Sequence, residues 1–226
     1  MNKNIKSPLF LKETWELLEE YKGLIIEINN ISDVARIKNI KNKIIASGNI
    51  KETKRIFNRL KRPWRKCNVG DIVAVRRKNG LYYHYAVYIG RGKVIHYADP
   101  DKEMGKNPCI HKADFRYFLS GATSYEILLF SEEGKVPQHI KIDLISGKEE
   151  KGRFSKKDRI LFGKMFLGQM RINIFSPEET VNRAKIRLGE KNYKLKTNNC
   201  EHFAIWCKTG IRESTQVDMV FGVKKL

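Results

Sequence analysis

Cys200 opens the stretch CEHFAIWCKTG and sits where a helix is about to begin. A cysteine in the first turn of a helix lies in the positive end of the helix dipole, where backbone N–H groups stabilise a thiolate. Residues 201–208 read as that helix, with Asn198 or Asn199 as its N-cap. The same N–H groups, together with an Asn side chain, would suit the oxyanion of a tetrahedral intermediate. A thiolate nucleophile needs a base, and the base needs a partner that fixes its tautomer. His84 and His96 are the candidates, with His84 as base and His96 as its orienter. Taken singly, a strand histidine is usually a surface or core-edge residue and a cysteine usually packs inertly. It is the combination that points to acyl chemistry. His202 follows Cys200 on the same helix and reads as structural, and Cys207 as a small buried apolar residue. Zinc held by Cys200, His84 and His96 would lack a short chelating pair. Neither a metal nor a cofactor is expected.

Whether the two imidazoles meet is a question of parity. They flank Gly90, Arg91 and Gly92. A two-residue turn at Arg91 and Gly92 would pair Val87 with His96 and send the rings to opposite sides of the sheet. A three-residue turn ending on Gly92 in a left-handed conformation would pair Ala86 with His96, placing His84 diagonal to His96 on one face. Diagonal partners lie about 7–8 Å apart at the backbone, close enough for side chains to cooperate. The second arrangement is therefore the expectation, with Gly92 as a bulge glycine.

The elements that must position these residues follow from composition and periodicity. Residues 71–75, 81–89 and 93–98 are rich in Val, Ile and Tyr between Gly and Asn punctuation, which predicts three strands in a meander. Residues 125–130 and 140–144 add two more. Ser176, Pro177 and Glu179 form a capping-box start with proline at the first helical position, and Gly189 supplies the stop, which predicts a helix over 177–188. A short strand is expected around 193–195. Before Val69, apolar residues recur at helical spacing, as in Trp15, Leu18 and Tyr21 and in Val34, Ile37, Ile40 and Ile44. This predicts a helical N-terminal extension over residues 1–66, whose last helix ends at Pro63. The catalytic domain would then span 67–226, with an insertion at about 133–175. The fold class expected is α+β, an antiparallel sheet with packed helices.

With 226 residues, 41% of them apolar and 31% charged, the chain can bury a sizeable core and is not disordered by composition. Its longest stretch free of Asp, Glu, Lys and Arg falls well short of the roughly 20 apolar residues of a spanning helix. Lys12 and Glu13 interrupt the first apolar run before it reaches the length of a secretory signal. A cytoplasmic protein, peripheral at membranes, is expected. Four cysteines without a CxxC pair suit reduced thiols. The formal net charge is +20, with basic residues clustered between Lys51 and Lys66 around Trp64. Such a field favours phospholipid or an anionic membrane surface, with nucleic acid as the less favoured partner.

Three segments, GDIVAVRR from Gly70, YHYAVYIGRGKVIHYA from Tyr83 and NCEHFAIWCKTG from Asn199, together resemble the lecithin:retinol acyltransferase-like family. That family is a circularly permuted branch of the NlpC-type, papain-like cysteine enzymes. The resemblance carries the family's two histidines onto His84 and His96 and its nucleophile onto Cys200. Tyr85 stands where many members have tryptophan. The segment 217–226 lacks the hydrophobic anchor that several members carry. The resemblance implies thiol-dependent acyltransferase or phospholipase chemistry on glycerophospholipid esters, through an acyl thioester on Cys200. A thiol amidase or peptidase would use the same residues. A basic lipid- or nucleic-acid-binding module would not need them.

Overall fold

The computed structural model describes residues 13–77, 82–130, 138–153 and 173–211. The chain divides into two compact units, residues 1–61 and 62–226.

In the first unit four strands, β1 (Trp15–Tyr21), β2 (Leu24–Asn29), β3 (Val34–Asn39) and β4 (Ile44–Asn49), form an antiparallel sheet in sequence order. Helix α1 (Ile50–Lys61) follows. The helical reading of residues 1–66 is therefore corrected: among the described residues of that stretch a four-stranded sheet precedes its last α-helix. Two-residue alternation decides the matter. Leu24 and Ile26 on β2 and Ala35 and Ile37 on β3 are buried, and Ile26 pairs directly with Ile37. The opposite face pairs Glu27 with Arg36, joined by an ion pair at 2.7 Å. Ile40, which completed the helical spacing, is 81% exposed. Lys22 and Gly23 both have positive φ and close the first hairpin tightly. Helix α1 buries Thr53, Ile56, Phe57 and Leu60, one face at 3–4-residue spacing. Its exposed side carries Lys51, Lys54 and Arg55.

The second unit opens with a short 3₁₀ turn (Pro63–Lys66). Its sheet has seven strands: β5 (Ile72–Arg77), β6 (Tyr82–Gly90), β7 (Lys93–Ala98), β8 (Cys109–Asp114), β9 (Ser124–Leu129), β10 (Gln138–Asp143) and β11 (Glu149–Arg153). The pairing is antiparallel throughout, in the order β11-β10-β9-β5-β6-β7-β8. The β10–β11 hairpin lies in the segment expected to be an insertion and extends the sheet. The remainder of 133–175 falls largely outside the described residues. Among the described residues the unit also holds helices α2 (Phe115–Leu119), α3 (Pro177–Ile186) and α4 (Cys200–Thr209). The fold is α+β, as the composition of elements implied. No described helix is long and apolar enough to cross a membrane.

Alternation along the strands gives the sheet two buried faces. Ile72, Ala74, Tyr85, Val87, Ile95, Tyr97 and Ile110 pack with Val181 and Ala184 of α3 and with Phe203, Ala204 and Cys207 of α4. On the other face His84 and His96 meet Phe118 of α2, with ring centroids 5.4 and 5.9 Å apart. Helix α3 starts as expected, with Ser176 Oγ accepting the N–H of Glu179 at 3.1 Å. Residues 193–195 form no strand, only an isolated bridge between Lys194 and Asn198. The outer edge of β8 is covered by the turn after α3, where Ile110 and the 189–190 backbone exchange two hydrogen bonds of 2.9 and 2.8 Å.

The β6–β7 turn is where the register of the site is decided. Ala86 pairs with His96, as the useful alternative required. The device differs from the expectation. The turn itself has two residues, Arg91 and Gly92, both at positive φ, with Gly90 opposite Lys93. The extra residue is Ile89, which bulges from β6 between the pairs Tyr88↔Val94 and Gly90↔Lys93. Gly92 is still obligatory, for a second reason: a Cβ there would lie 2.8 Å from the ring of Trp64. Trp64 thus braces the turn from within this unit.

Candidate active site

Asn199 caps α4. Its Oδ1 accepts the backbone N–H of Glu201 at 2.9 Å and of His202 at 3.1 Å, while its Nδ2 donates to the carbonyl of Leu195. His202 closes the box from the third helical position, its Nδ1 accepting the backbone N–H of Asn199 at 3.4 Å. Its ring is thereby committed to the cap, in keeping with a structural role. Asn198 is tied elsewhere: its Nδ2 donates to Glu190 and to the Asn192 carbonyl, and its Oδ1 accepts from Arg187 at 3.1 Å. Both Asn side chains thus hold the loop that presents Cys200, and any oxyanion there would be met by main-chain N–H groups.

Cys200 is buried, 6% exposed, at the first position of α4. The β6–β7 pairing reaches Ala86↔His96, and the backbone donors of Tyr85, one residue further on, and of Glu201 act on the Cys200 thiol. These donors favour the thiolate, but burial outweighs them and, with the carboxylates of Glu201 and Glu103, pushes the thiol up to about 12. Glu103 is itself held by Arg77, at 2.6 Å. Arg77 also donates to the carbonyls of Phe118 and Leu119, at 2.5 and 3.0 Å, so the end of β5, the loop after β7 and the end of α2 are fastened together beside the site.

His84 and His96 are both buried, at 3% and 1% exposure. His84 Nε2 lies 2.8 Å from His96 Nδ1, a direct hydrogen bond across the two strands. Burial first, then the charges of Arg77 and His111, hold His84 down at about 3. Burial also lowers His96, followed by its neighbour His84. The structure brings the two histidines together and brings Cys200 to the strand that carries His84. Among the described residues, no hydrogen bond joins the Cys200 sulfur to an imidazole, and the backbone donors of Tyr85 and Glu201 favour its thiolate. Burial thus disfavours charge on the thiol and on both imidazoles, so a neutral resting site is expected, with the thiolate arising as the proton moves. The 240 nm absorbance difference between wild type and Cys200→Ala should accordingly stay flat from pH 5 to 9. A step in that range, the mark of a standing thiolate–imidazolium pair, would show this electrostatic account to be wrong.

Sequence reading missed a third imidazole. His111 on β8 pairs across from His96, and the two Nε2 atoms are 3.0 Å apart. The signal was available, since residues 109–114 alternate well enough for a strand and register would then have set His111 opposite His96. The charged and proline-containing stretch before it hid the strand.

The family model described as Lecithin retinol acyltransferase matches residues 65–213, about two thirds of the chain. The chain belongs to this lecithin retinol acyltransferase family. The LRAT-family match takes in every residue of the site just described. Lecithin retinol acyltransferase of Mus musculus is 27% identical over 157 residues, covering 70% of this chain and 61% of that protein. Phospholipase A and acyltransferase 3 of Homo sapiens is 26% identical, over 66% of this chain and 74% of that protein. Protein LEAD-SENSITIVE 1 of Arabidopsis thaliana is 28% identical, over 63% and 57%. The chain thus spans less than two thirds of the length of the lecithin retinol acyltransferases it matches.

Proposed function

We propose that this LRAT-family chain is a thiol-dependent acyltransferase or phospholipase acting on glycerophospholipid esters. The observation that carries the reading is the 2.8 Å hydrogen bond between His84 and His96 on neighbouring strands, with Cys200 at the first turn of the helix packed on β6. The chain order His84, His96, Cys200 supports reading the core as a circularly permuted, NlpC-type version of the papain-like arrangement. The names of the relatives support an acyl ester substrate over an amide.

In this mechanism His84 takes the proton from Cys200 as the sulfur attacks the ester carbonyl. The S–C bond forms, and the carbonyl π electrons move onto oxygen, where main-chain N–H groups at the start of α4 meet them. Collapse breaks the C–O bond, His84 returns its proton to the leaving alkoxide, and an acyl thioester remains on Cys200. Water, an alcohol or an amine then repeats the sequence from the acceptor side. His96 holds His84 in orientation throughout and stabilises its imidazolium. The exposed Lys51, Lys54 and Arg55 of α1 support an anionic lipid surface as the place of work.

Incubation with phosphatidylcholine vesicles and an acid quench should give an intact mass increased by one acyl group, mapped to Cys200. Absence of that adduct, with peptide or isopeptide cleavage by the same preparation, would replace the ester reading with an amidase.

A further inference from the structure

We infer that His111 is a positioning residue that sets the direction of a three-imidazole hydrogen-bond chain and thereby makes His84 a base. The inference rests on the acyl-transfer reading for its purpose, though not for its geometry. The rings run without a break: His84 Nε2 to His96 Nδ1 at 2.8 Å, His96 Nε2 to His111 Nε2 at 3.0 Å, and His111 Nδ1 to the carbonyl oxygen of Cys109 at 3.1 Å.

The last contact fixes all the others. A carbonyl oxygen only accepts, and it lies nearer Nδ1 than the Cys109 sulfur at 3.9 Å, so the proton of neutral His111 is on Nδ1. Its Nε2 is then a lone pair, and the Nε2 of His96 must donate to it. That leaves the Nδ1 of neutral His96 as an acceptor, so the Nε2 of His84 must donate. Neutral His84 therefore has its lone pair on Nδ1, the one ring nitrogen not engaged with His96, and on the acyl-transfer reading this is the atom left to receive the Cys200 proton. After transfer, imidazolium His84 still donates through Nε2, so no ring has to turn. Without an acceptor beyond it, His96 would be free to place its proton on Nδ1. It would then donate to His84 Nε2, put the His84 proton on Nδ1 and leave no lone pair on that ring to accept a proton. Each imidazole tautomer is set by the hydrogen bond of its other nitrogen, and such outer partners are commonly worth on the order of tenfold to a hundredfold in activity.

The test uses the full chain labelled with ¹⁵N-histidine and long-range ¹H–¹⁵N correlation at neutral pH, with resonances assigned by single histidine substitutions. Wild type should show His84 and His96 protonated on Nε2 and His111 on Nδ1. In His111→Phe the His84 signal should move toward the Nδ1–H form, and thioester formation should slow on the order of tenfold to a hundredfold. His111→Gln, whose side-chain oxygen can accept from His96, should restore both readouts to near wild type. A wild-type His84 protonated on Nδ1, or a His111→Phe protein with unchanged tautomers, would overturn the inference. Equal loss in the Gln and Phe variants would also overturn it, by reducing His111 to packing. If His111→Phe does not fold, the wild-type tautomers and the Gln variant still decide. Failure of the acyl-transfer reading would appear separately, as the absence of any Cys200 adduct in wild type whatever the tautomers.

Discussion

His84→Gln should slow acylation of Cys200 by roughly a hundred- to ten-thousand-fold, the range that removal of a general base produces. Glutamine can still donate toward His96 Nδ1, so the buried partner is not stranded, but it takes no proton at neutral pH. The size of the loss follows from the thiol. With burial holding Cys200 near 12, spontaneous ionisation at neutral pH is a rare event, and the base must supply the difference. The pH dependence separates this from a general loss of structure. His84 is held at about 3, so its folded-state value is depressed and the ring is already neutral and able to accept from pH 5 to 9. Wild-type acylation should be nearly flat over that range. The variant depends on free thiolate, so its rate should rise about tenfold per pH unit and the gap should narrow as pH increases. Stopped-flow or quenched intact-mass kinetics on both proteins, with Cys200→Ala as the blank, would show it. Parallel profiles would remove His84 from the role of base.

Gly70→Ala should lower the stability of the second unit on the order of 3 kcal/mol, combining a left-handed backbone position with overpacking. Gly70 has φ +84°, and a Cβ there would lie 2.5 Å from Cα of Pro177 and 2.8 Å from its carbonyl oxygen. Those are backbone atoms at the first turn of α3, so no rotamer relieves the contact. Gly70 is itself fastened to β6, its N–H donating to the Tyr88 carbonyl at 2.9 Å. The added methyl must either push α3 outward or pull the start of β5 from β6. A drop in melting temperature on the order of 10 °C is expected for a domain of this size. Gly121→Ala is the control: its φ is +80°, with nothing within 4 Å of the added carbon, so it carries the backbone strain without the collision. Equal destabilisation of the two variants would show that the close approach of α3 has no energetic weight.

Much of the site could be read from residues alone because its constraints are local. A cysteine after an asparagine at a helix start, and two histidines on adjacent strands, are statements about short stretches and their periods. The register of those strands was legible as a parity condition, yet the residue that satisfies it was not. A bulge at Ile89 and a longer turn at Gly92 shift the pairing identically, and glycines at 90 and 92 permit both. His111 is further from legibility, since its place depends on a strand that returns after the loop following Ala98. The N-terminal unit was misread for a different reason. Trp15, Leu18 and Tyr21 lie three apart, but Leu18 is exposed, and the apolar residues that do form the core, Leu24, Ile26, Ala35 and Ile37, alternate on β2 and β3. Short amphipathic strands joined by tight turns can mimic helical spacing across their junctions, and only pairing resolves them.

The bulge at Ile89 also limits how this hairpin can change over time. His84 and His96 are 12 positions apart, and one unpaired residue within that interval decides which side of the sheet the second ring occupies. Gain or loss of a single residue between them would not merely shorten a loop; it would turn one imidazole over to the α4 side. Length variation here is therefore quantised. A lineage, or an engineer, that keeps the imidazole pair must add or remove residues by twos, or else exchange the bulge for a turn of the opposite parity in the same step.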